Sequence, residues 1–68
     1  MTKNLFDYGR ATEIANIEVP TVQDVLELKR IIADAKTPAE QALARAIMTT
    51  LARTILQLDN DELLDALD

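Results

Sequence analysis

Pro38-Ala39-Glu40-Gln41-Ala42-Leu43-Ala44-Arg45-Ala46-Ile47-Met48-Thr49-Thr50-Leu51-Ala52-Arg53-Thr54-Ile55-Leu56-Gln57-Leu58 decides the fold. Wound at helical pitch, this stretch sorts into four rows at four-residue spacing. One row is large and branched: Leu43, Ile47, Leu51 and Ile55. Its neighbour is small: Ala42, Ala46, Thr50 and Thr54. A third row is Ala44, Met48, Ala52 and Leu56, and only the fourth, Gln41, Arg45, Thr49, Arg53 and Gln57, is polar throughout. A large ridge beside a small groove is what helix packing along the i±4 rows requires. Three apolar rows of four demand cover on most of the circumference.

The start of this helix is written locally. Thr37-Pro38-Ala39-Glu40 is a capping box with Pro at the first helical position. Thr21-Val22-Gln23-Asp24 is a similar start with a shorter acid. It predicts a helix from about Val22 to Ala35, stapled by Val19 or Pro20 on Val25. Lys36 and Thr37 alone separate the two helices, a link that favours an antiparallel hairpin. At 1.5 Å per residue the first helix spans ~21 Å and the second ~31 Å, leaving an overhang around Ile55, Leu56 and Leu58.

Two segments are candidates to cover it. Asp59-Asn60-Asp61-Glu62 reads as a break and a new N-cap before a short helix carrying Leu63, Leu64 and Leu67. The alternative is one helix to residue 67, because Leu56, Leu63 and Leu67 share a face. Residues 1–19 are the other candidate, with Asn4 capping a short helix that sets Leu5, Tyr8, Ala11, Thr12 and Ala15 on one side. Ile17-Glu18-Val19-Pro20 then reads as extended. The expected fold is all-α: a helical hairpin or small bundle, with helices about 22–35 and 38–58 and a short helical piece at each end, completed by oligomerisation. Sixty-eight residues predict a single domain: an N-terminal arm or short helix over 1–19, the hairpin over 20–58 and an acidic amphipathic tail over 59–68.

Composition supports the need for outside help. A chain of this length buries only ~60% of the surface its unfolded form exposes. Cys and His are both absent, so disulfides and the common zinc sites are excluded. Ten residues are Ala, and Phe6 and Tyr8 are the only aromatics. Residues 1–58 carry seven acids and seven bases, so the net charge of −5 lies wholly in Asp59, Asp61, Glu62, Asp65 and Asp68. That balance argues against direct binding to nucleic-acid phosphates. No segment reads as a signal peptide or a membrane span, and a cytoplasmic protein is expected.

Chemistry has little to work with. There is no Ser, Cys or His to serve as nucleophile or base, and Gly9 is the only glycine, too few for a phosphate-cradling loop. Asp59, Asp61 and Glu62 fail the calcium-loop pattern, because Leu63 and Leu64 fall where a ligand and the turn should be. No enzyme, cofactor or metal is expected. Arg45 and Arg53 on the polar row read as a solvated stripe, or as intersubunit salt-bridge partners of the acidic tail, before they read as phosphate or carboxylate ligands.

The remaining signals concern contact with other proteins. Self-association is expected through Ala42, Leu43, Ala46, Ile47, Thr50, Leu51, Thr54 and Ile55, the ridge of one copy meeting the small row of another in a homodimer. On that arrangement Ala46→Leu should be more damaging than Ala44→Leu. A second contact surface is expected from Asp61, Glu62, Leu63, Leu64, Asp65 and Leu67, together with Phe6 and Tyr8. The tail reads either as a lid on the overhang, which is preferred, or as a docking peptide. The function expected is a non-catalytic protein–protein interaction module. The alternatives are an acidic inhibitor or nucleic-acid mimic that occupies a basic site, and a structural subunit of a larger assembly such as a virion, ordered by an arm at 1–19.

Overall fold

The computed structural model describes residues 6–68, and these form four helices. Helix α1 spans Tyr8–Ala15, α2 Val22–Ile32, α3 Pro38–Leu58 and α4 Asp61–Leu67. The all-α architecture expected from the periodicity is therefore present.

Each helix starts where a local hydrogen bond makes it start. Asp7, rather than Asn4, caps α1: its Oδ1 accepts the N–H of Arg10 at 3.1 Å. Asn4 and Leu5 lie outside the described residues. Thr21 Oγ1 accepts the Asp24 N–H at 3.2 Å, and Asp24 Oδ2 accepts the Thr21 N–H at 2.9 Å. The box at α3 is stronger. Thr37 Oγ1 accepts the Glu40 N–H at 3.1 Å, while Glu40 Oε1 accepts the N–H groups of Thr37 at 3.2 Å and Lys36 at 2.9 Å. These bonds satisfy amides that have no partner inside the helix.

Helix α2 stops at Ile32, three residues short of the expected Ala35. The N–H groups of Asp34 and Ala35 fall back on Ile31 and Ile32 at 3.0 Å each, the tightened i→i−3 pattern of a helix end. The next amide, that of Lys36, is taken by Glu40, so the chain leaves α2 to build the start of α3.

The break after α3 is made by Asp59, which is left-handed at φ 54° and ψ 46°. Asn60 then caps α4, its Oδ1 accepting from Glu62 at 2.9 Å and Leu63 at 3.2 Å. In this structure α3 and α4 are therefore two helices, not one continuous helix to residue 67.

Helix α1 packs against α2 and α3, and α4 packs against the same two helices. The two longer helices approach one another closely at few points, so the short helices fill the space between the arms of the hairpin. Phe6, Ala11, Ile14, Ala15, Val25, Leu28, Ala44, Ile47, Leu51, Ile55 and Leu63 make one core, with no buried polar side chain among the described residues. Pro20 is buried and Val19 exposed, so Pro20 is the member of the pair available to staple α2.

Two faces differ from the sequence expectation. In α1 the inward side is Ala11, Ile14 and Ala15, while Tyr8 is half exposed and Thr12 sits between. Ile14 buries more apolar area than Ala and brings no hydroxyl that needs a partner. In α3 the inward side is Ala44, Ile47, Leu51 and Ile55. The ridge and the Ala44 row share the core, and Leu43 at the head of the ridge is 42% exposed.

Candidate interaction surface

Most of the predicted self-association ridge is already used. Ile47, Leu51 and Ile55 are buried in the chain's own core, where α1 and α4 pack on α3, so they are not free to form an intersubunit ridge. What remains outside is Leu43 with the small row: Ala42, Ala46 and Thr50 are exposed and Thr54 partly so.

Tyr8 lies beside that row. Tyr8, Thr12 and Asn16 of the α1 segment and Leu43, Ala46 and Thr50 of α3 line a shallow groove of about 220 Å³, floored by Ala15 and Ile47. Two sets of residues that the sequence singles out separately, an aromatic near the N-terminus and the small row, thus form one surface.

The threonines of the groove, Thr12 and Thr50, and two others of α3, Thr49 and Thr54, are less polar than their type suggests. Thr12 Oγ1 donates to the Tyr8 carbonyl at 2.8 Å, Thr49 to Arg45 at 2.9 Å, Thr50 to Ala46 at 3.2 Å and Thr54 to Thr50 at 3.3 Å. A hydroxyl bonded to its own helix loses little when covered, because its hydrogen bond is not one with water. This back-bonding is the signal that sequence reading overlooks: at four-residue spacing a helical Thr can act as a small apolar residue.

The tail is divided. Leu63 is buried, and Leu64 and Leu67 are partly buried against the core. Asp61, Glu62 and Asp65 point outward. Phe6 belongs to the core at 9% exposure. Of the residues expected to meet a partner, Leu63 and Phe6 are therefore buried in the monomer, whereas the acids and Tyr8 are accessible. The α1 segment lies on its own α2 and α3, not away from them as an assembly arm would.

Two more depressions lie among the described residues. One, of about 530 Å³, lies between α1 and α2 and is crossed by a forked ion pair that the sequence reading missed. Arg10 Nε meets Glu27 Oε2 at 2.8 Å and Nη2 meets Oε1 at 3.0 Å, while Nη1 reaches Glu13 at 3.2 Å. The bonds to Glu27 and Glu13 raise the pKa of Arg10, and the bond from Arg10 lowers that of Glu27. The hydrogen bonds from the Lys36 and Thr37 amides likewise lower that of Glu40. The pairing is 17 residues apart, so no local pattern announces it. The other depression, of about 270 Å³, opens where Ile32 and Ala35 face Ala44, Arg45 and Met48.

Among the described residues the ion pairs are those of Arg10, and within one copy neither Arg45 nor Arg53 meets the tail acids. Among the same residues no three acids cluster as metal ligands, and no helix is long and apolar enough to cross a membrane. Compared with protein-family patterns, curated proteins and solved structures, the chain has no match.

Proposed function

We propose that this chain is a non-catalytic protein–protein interaction module of the cytoplasm that self-associates through the α1/α3 face. The supporting observation is the convergence of Tyr8, Leu43, Ala46 and Thr50 on one groove, with Thr12 and Thr50 hydroxyls turned into their own helices. In a two-fold arrangement Leu43 and Tyr8 of one copy enter the small row of the other, so the interface replaces the buried ridge with two large side chains that stay exposed on this face. A residue inventory without Ser, Cys or His supports the non-catalytic part of the reading.

Light scattering across concentration tests this. The apparent mass should rise from one copy towards two, and Ala46→Glu should lower the dimer fraction at each concentration without changing the circular dichroism. A wild-type mass that stays at one copy up to millimolar concentration removes the reading.

The acidic inhibitor or nucleic-acid mimic is the second reading. It draws support from the α4 segment, where Asp61, Glu62, Asp65 and Asp68 are exposed and form no ion pair among the described residues. Salt-sensitive binding to a basic protein, lost when these acids become Asn or Gln, would favour it over self-association.

A further inference from the structure

Helix α4 is tied to α3 by a hinge of two residues, Asp59 and Asn60. Asp59 holds the left-handed conformation without being glycine, which costs an L-residue stability that a straight helix would return. The bend also strands an apolar side chain: Leu56 is 65% exposed, while Leu63 is 2% exposed in the core. In a straightened helix Leu56, Leu63 and Leu67 fall within about 40° of one another, one continuous apolar face. The place that α4 leaves, on α2 and α3, is shaped for an α4 and closed by Lys29 on the Ala66 carbonyl.

We propose that α4 exchanges between two copies of this chain. Asp59 straightens, α3 and α4 run on as one helix, and the α4 of each copy takes the vacant place on the other. The occupant is a second copy because that place already fits this helix and ends on its last turn. In the monomer α4 folds back beside α3. The exchanged α4 therefore brings the two α3 helices together antiparallel at their C-terminal ends, where Leu56 and Leu58 are exposed and become covered. Exchange forfeits the Asn60 cap and regains helical hydrogen bonds through the hinge. This goes beyond the proposed α1/α3 association and does not use that face.

The test therefore uses an Ala46→Glu background, in which face association is suppressed. Asp59→Ala should favour dimer by about tenfold per hinge and about a hundredfold for the pair. Asp59→Gly, at ease in the left-handed region, should move the equilibrium towards monomer. Copies labelled with ¹⁴N and ¹⁵N are mixed, equilibrated and treated with a carbodiimide. Links from Lys29 to Asp65 or Asp68 in the dimer fraction should join light to heavy peptides. Links confined to one isotope, or an Asp59→Ala variant that loses stability without gaining dimer, overturn the proposal. A smaller dimer fraction in Asp59→Gly than in the Ala46→Glu parent, with the monomer intact, supports it.

Discussion

The ammonium of Lys29 donates to the carbonyl of Ala66 at 3.0 Å, joining the last turn of α2 to the last turn of α4 across 37 residues of sequence. The carbonyls of a helix's last turn lack partners inside the helix and carry its negative dipole end. Four of the five tail acids lie in or beside α4, without a base among them, so this lysine supplies a cation the tail itself lacks.

Replacing Lys29 by Met keeps the aliphatic stem and removes the donor. The expected loss is about 1 kcal/mol, concentrated in α4. Amide exchange should quicken at residues 63–67 well before it changes in α3. Uniform exchange changes across the molecule would mean that the contact has no local role.

Leu63 and Leu56 should respond in opposite ways to truncation. Leu63→Ala empties a core position and should cost about 2–4 kcal/mol. Leu56→Ala removes an exposed side chain and should stay within about 0.5 kcal/mol in the monomer. Thermal unfolding at low protein concentration reads both. Deletion of residues 59–68 should also lower the melting temperature, as a lid on the core requires; an unchanged value would contradict the buried position of Leu63.

Ala44 and Ala46 exchange the roles that row analysis suggests. Ala44 is 3% exposed in the core, so Ala44→Leu should overpack it at about 1–3 kcal/mol. Ala46 is exposed, so Ala46→Leu should leave the monomer's melting temperature nearly unchanged and act on association alone. Chemical denaturation of dilute protein distinguishes the two, and a larger loss for Ala46→Leu would refute the assignment of faces.

Stability should fall on acidification. Glu27 and Glu40 both have folded-state pKa values below the ordinary 4.5, through the Arg10 bond and the Lys36 and Thr37 amides respectively. Between the folded and unfolded values the unfolded chain binds more protons, so stability rises with pH there. The contribution is complete above the ordinary value and disappears as pH falls through the depressed one. Melting temperatures from pH 7 down to pH 3 should show a decline that begins near pH 4.5 and becomes shallower in Glu40→Gln. An identical pH profile for that variant would count against the capping role of Glu40.

The helix starts were legible because they are local events. Thr37 with Glu40, Thr21 with Asp24, and Asn60 with Leu63 each bond across three residues, so residue identity suffices to place them. The end of α3 was legible for the same reason, as Asp59 and Asn60 interrupt the periodic run. The sequence by itself thus determined the helical class, the cap positions at α2, α3 and α4, and the acidic outer side of the tail.

Which faces point inward was decided only by tertiary structure. With three apolar rows on α3, several rotations bury comparable area. The choice depends on where α1 and α4 come to rest, which is a property of residues far apart in the chain. That is why Ala44 is covered while its neighbour Leu43 stays half exposed, and why Ile14 displaced Tyr8 from the core. The Arg10–Glu27 fork and the Lys29–Ala66 bond have the same origin. Each joins groups that meet only after the helices have packed, so the partner of either residue is set by helix placement and not by any local pattern.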